Sequence, residues 1–408
     1  MERWLAVLVK LAWRNLWRNK RRTLIILSAI SVGVWAMIFM TALMRGMVDQ
    51  MIRNATESFI GHVQIHNADY INDPSIANSM APPSADLIKY LDQAQAWTTR
   101  VRVPAVVSSE RETRGVTLLG VAPQREAQLS FVAHDITSGR FLTTDDDNGV
   151  VIGEKLARKL DTELGKRVVI MSQDPENNIA DRGVRVVGIY KAPLTSIEER
   201  FVIMGIATAQ SFLKMGNRIS EIEIDGDDYR NVEPLYQQIK QHVDSHLEVL
   251  TWQQLDEYLG SMLGMMDGFV LVWILVIFIA LSFGLVNTLF MAVFERVREV
   301  GLILALGMRP AHILLQILFE ALFLIILGLV IGTALSWLAI KPLEDGFDVS
   351  VVAQGMDFMG VGSVMYPALY LDDILLANVV VIVLGILASI LPAWKAAQYK
   401  PVEAMTKT

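Results

Sequence analysis

The amino-acid sequence predicts an α-helical membrane protein with four transmembrane helices and an α+β domain inserted between helices 1 and 2, on the outer, periplasmic side. Three observations lead to this fold class. Hydrophobic residues make up 53% of the 408 residues and charged residues only 19%, a balance unusual for a soluble protein. Four apolar stretches have membrane-spanning length. Between the first two lies a long segment of soluble character.

The four predicted spans each hold the roughly 20 mostly apolar residues that a helix needs to cross a bilayer. They are residues 23–44, 269–294, 313–340 and 374–394. Only the third contains a charged residue, Glu320, which we expect to snorkel or to pair locally near the inner interface. The first span is too long for a removable signal peptide and has no small-residue cleavage site, so it is interpreted as retained.

Charge sets the predicted orientation, because lysine and arginine concentrate on the cytoplasmic side. Seven basic residues precede the first span against Glu2 alone, and residues 46–267 carry 21 basic and 32 acidic residues. Both termini are therefore predicted to be cytoplasmic. The predicted segments are an interfacial helix (1–22), the first span with a periplasmic extension (23–57), the periplasmic domain (58–257), a stalk with the second span (258–294), a cytoplasmic helix (295–312), the third span (313–340), a periplasmic loop (341–373), the fourth span (374–394) and a cytoplasmic tail (395–408).

The first segment, residues 1–22, has the pattern of an amphipathic helix lying in the membrane interface. Leucine and alanine recur at helical spacing, and three tryptophans suit the headgroup level. Its basic residues suit anionic lipid. The alternative is a simple topology signal, for which Lys20, Arg21 and Arg22 would suffice.

The periplasmic domain shows alternating strand patterns and helical patterns. The predicted strands are 61–66, 100–108, 115–120, 167–171, 184–190 and 219–224, and the predicted helices are 84–96, 153–160, 207–214 and 231–246. Residues 173–183 are rich in turn formers and predict a solvent-exposed hairpin loop. An ordinary surface turn is the favoured interpretation, and a partner-binding loop is the alternative. The residues that would form the partner contact are Asp174, Pro175, Asn177 and Arg182.

Residues suited to catalysis or metal binding are few. His62 and His66 are predicted on one strand face, and His242 and His246 on one helix face, but a zinc site needs three or four ligands. Solvated surface histidines are the favoured interpretation. No phosphate-binding loop G-x-x-x-x-G-K-[ST] occurs, so no nucleotide hydrolysis is expected of this sequence. The basic residues form no nucleic-acid patch, and there is no cysteine.

Methionines mark one face of the first span and its extension. Their spacing of three and four residues fits a seam between two helices, which is the favoured interpretation. The alternative is an adaptable apolar cleft for acyl chains, since methionine fits irregular shapes. The residues of this predicted cleft are Met37, Met40 and Met44 of the first span, Met47 of its extension, Met265 and Met266 just before the second span, and Phe269 at its start. In the third span, Gly328 and Gly332 form a G-x-x-x-G pair that permits close helix packing.

Residues 295–312 carry the most specific pattern in the chain: clustered charges at the start, an amphipathic stretch, and a stop at Gly307 and Pro310. Further motifs are 11–23 before the first span, 150–157 and 186–189 in the periplasmic domain, 391–397, and Pro401 to Met405 in the tail. In these motifs the chain resembles the permease subunits of the MacB/FtsX/Lol superfamily of ABC transporters, and its layout is most similar to the lipoprotein-releasing Lol permeases.

The resemblance implies a transporter subunit of the bacterial inner membrane that is not itself an enzyme. ATP and Mg²⁺ would be bound by a cytoplasmic ABC ATPase dimer, and a second copy or a paralogue would complete the permease. A periplasmic lipoprotein carrier or adaptor and membrane lipids are further implied partners. Carried over by motif, the ATPase would be contacted by Glu295, Arg296, Arg298, Glu299, Leu306, Gly307 and Met308.

Three functional hypotheses remain open. The leading one is extraction of a lipoprotein or another amphiphile at the periplasmic face. A second is a mechanotransmitting efflux permease that acts on periplasmic cargo. A third is an FtsX-like regulator of a cell-wall hydrolase that transports nothing.

Overall fold

The structure, a computed structural model, describes residues 2–349, 355, 360–362 and 364–398. The tail motif from Pro401 to Met405 therefore lies outside the described residues, as does part of the predicted loop 341–373. The chain divides into two units. A helical unit comprises residues 1–47, 265–347 and 366–408, and an α/β unit comprises residues 48–264 and 348–365.

The described residues contain four helices that are long and apolar enough to cross a membrane. All four predicted spans fall within them, so the prediction of four candidate spans is confirmed, although every helix extends beyond its apolar core. Pro310 starts the third helix because its fixed φ and missing N–H suit the first turn. The helices of the helical unit are α1 Glu2–Arg18, α2 Lys20–Ala55, α10 Glu257–Glu295, α11 Val297–Ala305, α12 Pro310–Ile340 and α13 Leu371–Ala397, of which α2 and α10 continue into the α/β unit.

The amphipathic character predicted for residues 1–22 is present, but the helix is shorter than predicted. Leu8, Ala12 and Leu16 are buried along one face of α1, while Trp13 and Trp17 remain exposed. A turn at Asn19 ends α1, and the basic cluster at 20–22 instead begins α2. The Thr23 hydroxyl donates to the Leu16 carbonyl at 2.5 Å and ties the two helices together at this turn.

The two glycines of the G-x-x-x-G pair allow α12 to pack closely on α2. A Cβ on Gly332 would lie 2.8 Å from the Ser31 carbonyl oxygen, and one on Gly328 would collide with Ile30. Both glycines are buried. The pair predicted from sequence therefore marks a real helix contact, which the small residues permit.

The α/β unit is built on one mixed sheet. Its strands are β1 Val63–Asn67, β2 Ala96–Ser108, β3 Thr113–Val121, β4 Ile136–Gly139, β5 Gly149–Gly153, β6 Arg167–Gln173, β7 Ile179–Tyr190, β8 Phe201–Gly205, β9 Glu221–Asp225 and β10 Leu247–Thr251. They lie in the order β10-β1-β9-β2-β3-β8-β5-β7-β4, with β6 paired to β2 and β7. Most of these neighbouring strands are antiparallel, and the parallel pairs are β3 with β8 and β5 with β7.

The sheet is buried on both faces at its centre. Leu118 of β3 belongs to one apolar cluster and its neighbour Leu119 to the other, and the same alternation separates Val202 from Ile203 in β8. Short helices cover the faces: α3 Ala85–Leu91, α4 Pro123–Leu129, α5 Glu154–Lys159, α6 Thr195–Arg200, α7 Ile206–Phe212, α8 Glu233–Lys240 and α9 Trp252–Leu255. Each predicted strand and helix overlaps an observed one. The predicted helix 84–96 is wrong in its second half, because the chain turns after Leu91 and enters β2 at Ala96.

Candidate functional site

The segment predicted as a cytoplasmic helix over 295–312 folds as the much shorter helix α11. Glu295 is the last residue of α10, and α11 ends before Gly307, which has a positive φ of 95° that favours glycine. At nine residues α11 is too short to cross a bilayer. One face packs through Val300 and Leu304, and Met308 just after the helix packs beside them, on an apolar cluster of Val293, Ile313, Ile317, Ala393 and Ala396.

The opposite face of α11 is exposed and partly apolar. Leu302 has an exposed fraction of 54%, and Leu306, just after the helix, reaches 80%. Arg298 and Ala305 are exposed on the same side, and Gly307 is exposed in the turn. Helical spacing aligns 298, 302 and 305. A short helix that is fixed on one side and presents leucines on the other has the character of a protein-contact surface.

Two ion pairs join this region to the start of the chain. Arg18 of α1 forms a two-pronged pair with Glu299, with N–O distances of 2.9 and 3.0 Å, and Arg22 of α2 pairs with Glu295 at 2.7 Å. Both side chains of the first pair are 52% exposed, so it adds little stability. The two-pronged geometry instead fixes the orientation of α11 relative to α1.

A second set of polar contacts is largely buried. Glu320 of α12 accepts hydrogen bonds from Asn15 at 2.8 Å and from Arg296 at 3.2 Å, and Arg296 also donates to the Asn15 carbonyl at 2.9 Å. The Glu320 and Arg296 side chains are only 10% and 11% exposed. The expectation of a locally paired Glu320 is confirmed. Arg296, predicted to contact a partner, is instead turned inward and holds α1, α11 and α12 together.

Fewer of the predicted contact residues are therefore exposed to a partner than the sequence suggested. Arg298, Glu299, Leu306 and Gly307 are exposed as a partner contact requires, and Glu295 is exposed at the end of α10. Met308 packs against the apolar cluster, so it supports the helix. A cavity of about 250 Å³ lies beside the buried polar contacts, between α1, α10, α11 and α12.

At the other end of the helical unit, an arginine that the sequence patterns did not single out joins three helices. Arg45 of α2 donates to both oxygens of Asp373 at 2.8 Å and to Asp267 at 2.6 Å. Asp373, in the first turn of α13, has a side chain only 7% exposed. A lone basic residue directly after an apolar stretch, on the acidic side of the chain, is the signal that could have identified it.

The predicted methionine cleft does not form one continuous exposed surface. Met37 and Met266 are buried, with exposed fractions of 0% and 2%. Met40, Met265 and Phe269 are 39%, 54% and 52% exposed, while Met44 and Met47 are half-buried. A Cβ on Gly33 would collide with Leu281, so α2 and α10 approach closely. Some residues of the predicted cleft, such as Met37 and Met266, therefore belong to the helical core. Only Met40, Met265 and Phe269 are exposed enough to contact a ligand.

The predicted loop 173–183 is a tight turn of five residues, 174–178, because β6 runs to Gln173 and β7 begins at Ile179. Asp174 is buried and accepts from the Asn178 N–H at 2.9 Å, so it shapes the turn. Arg182 donates to Asn148 at 2.7 Å within the unit. Pro175, Asn177 and the 78% exposed Ile179 line a groove of about 480 Å³ with residues of β2 and β6.

The prediction of solvated histidines is wrong for the first pair. His66 is fully buried on β1, and the ring of His62 accepts a hydrogen bond from the Gly226 N–H at 2.8 Å. The second pair is exposed but does not share a helix face as predicted, because α8 ends at Lys240. The ring of His242 stacks on Tyr90. Within the described residues, no group of three or more metal-ligating side chains was found.

His66 predicts a pH dependence of the α/β unit. Burial, and the nearby charge of Arg102, lower the pKa of His66 from 6.5 to about 4. Because the folded state resists protonation, stability is complete above pH 6.5 and falls as the pH drops towards 4, by up to about 3 kcal/mol. His66→Phe should weaken this pH dependence, measured as the melting temperature by tryptophan fluorescence between pH 4 and 7.

The exposed His242 provides a control, since His242→Phe should melt with the pH dependence of the unaltered chain. A His66→Phe variant that loses as much stability below pH 6 as the unaltered chain would show that another group controls the acid response.

A buried cluster of charges in the α/β unit was not anticipated. Arg100 of β2 is fully buried and binds Glu126 through two hydrogen bonds of 2.6 and 2.9 Å, and it also pairs with Glu223. Arg102 pairs with Glu221 at 3.5 Å and donates to the carbonyl of Phe59 at 3.2 Å. Alternating charges on two neighbouring strands, β2 and β9, are the signal that could have suggested it.

The cluster also fixes the turn that follows α2. Phe59 has a φ of 75°, a left-handed conformation that costs a bulky residue about 1–3 kcal/mol. Its buried ring lies 5.2 Å from the Arg100 guanidinium and 4.9 Å from the Phe201 ring. The charges and the aromatic contacts therefore hold the residue at which the helical chain turns into the sheet.

Comparison with known proteins gives matches along both units. The family model for the MacB-like periplasmic core domain matches residues 23–242, and the model for the FtsX-like permease C-terminal matches residues 270–401. The lipoprotein-releasing system transmembrane protein LolC of Neisseria meningitidis serogroup B is 21% identical over 412 residues, covering 94% of this chain and 93% of that protein.

Two further relatives carry the MacB name. The macrolide export ATP-binding/permease protein MacB of Nitrobacter winogradskyi is 24% identical over 427 residues, covering 99% of this chain and 61% of that protein. The crystal structure of the periplasmic region of MacB from Actinobacillus actinomycetemcomitans matches with a TM-score of 0.34 at 16% identity, covering 49% of this chain and 92% of that chain.

Proposed function

This chain belongs to the MacB/FtsX/Lol-type permeases of ABC transporters, and from that premise we propose that it extracts a lipoprotein or another amphiphile from the outer leaflet of the bacterial inner membrane. ATP is hydrolysed by a separate cytoplasmic ATPase dimer, and a second permease copy or a paralogue completes the transporter. Both termini and α11 face the cytoplasm, and the α/β unit is periplasmic.

The observation that carries the proposal is the way in which contacts with neighbouring helices hold α11 while one of its faces stays exposed. Its apolar outer side, with Leu302 and Leu306 exposed, is the surface that the ATPase grips. Glu299, which is exposed on the same side as Leu302, pairs with Arg18 of α1, and the neighbouring Arg296 donates to the buried Glu320 of α12. A push on α11 is therefore passed to the spans through fixed polar contacts, as movement of packed elements requires.

Extraction needs ATP because each CH₂ group of an acyl chain contributes about 0.8 kcal/mol to membrane binding. The exposed residues of the predicted methionine cleft are Met40, Met265 and Phe269, and they form the acyl-binding surface in this proposal. The groove beside Pro175 and Ile179 receives a periplasmic carrier or adaptor. The buried Met37 and Met266 favour the second candidate, a mechanotransmitting permease, whose methionines only join two helices.

The test is photocrosslinking in native membranes with a photoreactive amino acid at Met40 or Phe269, and at the buried Met37 as a matched control. Extraction predicts capture of a lipid-anchored protein from the two exposed positions and not from Met37, with the adduct lost during ATP turnover. Adducts that form only within this chain, at all three positions, would overturn the extraction proposal and support mechanotransmission.

A further inference from the structure

The helical unit contains a groove that neither the ATPase contact nor the methionine surface uses. It has a volume of about 600 Å³ and lies between α2, α12 and α13, at the end of the unit away from α11. Its walls are apolar, with Ile38, Ile326, Val330, Trp337 and Ile382 among the side chains that line it. All three helices are candidate membrane spans, so the groove opens into the bilayer rather than into water.

The length of the groove matches the hydrocarbon thickness of one bilayer leaflet. On α12 it extends from Ile326 to Trp337, which corresponds to about 16 Å at a rise of 1.5 Å per residue. Half of a typical hydrocarbon core is about 15 Å. A lipid whose headgroup lies at the outer end, and whose acyl chain descends to the bilayer midplane, would therefore follow the groove along its whole length.

Three polar side chains interrupt the apolar wall. The Thr333 hydroxyl donates to the Asn378 Oδ1 at 3.5 Å, and the Ser336 hydroxyl donates to the Gly332 carbonyl at 2.8 Å. Within the described part of the chain, the Asn378 side chain is only the acceptor in this hydrogen bond, so its two N–H donors remain for another acceptor. In a bilayer, an amide donor without an acceptor is costly. A carbonyl oxygen of a glycerolipid ester satisfies this requirement.

The outer end of the groove suits a headgroup. Lys341, directly after α12, lies 4.5 Å from the ring of Trp337, and tryptophan is typical of the level of the headgroups. A lysine ammonium group binds phosphate as a point charge. Asp372, exposed in the first turn of α13, adds a negative charge at the same end of the spans, so the lysine and the aspartate together suit a zwitterionic headgroup.

We propose that this groove binds one bilayer glycerophospholipid, with an acyl chain between α2, α12 and α13, an ester carbonyl at Asn378 and the phosphate at Lys341. The lipid fills a space that the spans leave open. It is a fixed component of the permease and is not the cargo. This site is separate from the acyl-binding surface of Met40, Met265 and Phe269, so it does not depend on the extraction proposal.

The test uses the full chain in nanodiscs of phosphatidylethanolamine that contain a trace of an analogue with a photoreactive acyl chain, followed by peptide mapping. Adducts should concentrate in residues 326–337 and 374–382. Ala334→Phe, which fills the groove, should remove this concentration. Ala280→Phe should not change it, because Ala280 is an exposed α10 residue that does not line the groove. Asn378→Leu, a second and milder variant, should lower the groove adducts about fivefold, the effect of one lost hydrogen bond.

Two outcomes would overturn the proposal. Adducts spread evenly over the exposed residues of α10 and the groove, and unaffected by either groove variant, would mean that the lipid is only part of the surrounding bilayer. Loss of the groove adducts on adding an equimolar synthetic triacylated lipopeptide would assign the groove to cargo. Groove adducts that persist in the presence of the lipopeptide would support a resident phospholipid.

Discussion

Leu306→Asp is expected to remove most of the ATPase partner from the purified transporter. Leu306 is 80% exposed at the end of α11, the proposed contact surface. A central apolar side chain in an interface is worth about 2 kcal/mol or more, which corresponds to about thirtyfold in affinity. A carboxylate buried in the same interface adds a desolvation cost. The measurement is the amount of ATP-binding partner that copurifies with the tagged chain from native membranes.

A matched control comes from the α/β unit. Ile179 is 78% exposed, so Ile179→Asp makes the same kind of change at nearly the same exposure, on the proposed periplasmic side. It should leave copurification of the ATPase unchanged. If Leu306→Asp retains the partner as well as Ile179→Asp does, the ATPase binds elsewhere and the assignment of α11 is wrong.

The sequence predicted this helix but not the contacts that hold it, because those contacts join residues that are distant in the chain. Charge clustering and the glycine stop are local signals, so they identified the segment around Gly307. Pairing is not local, since Arg18 and Glu299 are 281 residues apart in the chain. Periodicity indicates which residues share a face, but it does not indicate which element covers that face. For this reason Arg296 was expected at the surface although it lies inside.

The same distinction explains the errors in the α/β unit. Strands β1 and β9 were recognised because polar and apolar residues alternate in their sequences, although almost all of their residues are buried. Strands β5 and β8 were missed because all of their residues are buried and their sequences do not alternate. His66 was placed correctly on a strand, but the sheet buries both faces there. Arg100 was included in a predicted strand as an ordinary polar residue, because its partner Glu126 lies on a different element.

Replacement of Arg100 should be the most destabilising single change in the α/β unit. Arg100→Met keeps much of the side-chain volume but leaves Glu126 and Glu223, which are almost inaccessible to solvent, without their cation. Breaking a buried pair in this way costs about 3–5 kcal/mol. For a unit of this size, the melting temperature should fall by about 10 °C or more. Thermal unfolding followed by tryptophan fluorescence measures the change.

Two comparisons show whether the unpaired buried carboxylates cause the loss of stability in Arg100→Met. Arg111→Met breaks a pair with Asp161 whose side chains are 73% and 57% exposed, so it should cost less than about 1 kcal/mol. Arg100→Met combined with Glu126→Leu and Glu223→Leu removes the stranded carboxylates and should recover much of the loss, because apolar residues can replace a buried ion pair. If the triple variant is no more stable than Arg100→Met alone, the arginine acts through packing against Phe59, and the strained turn after α2 depends on shape rather than charge.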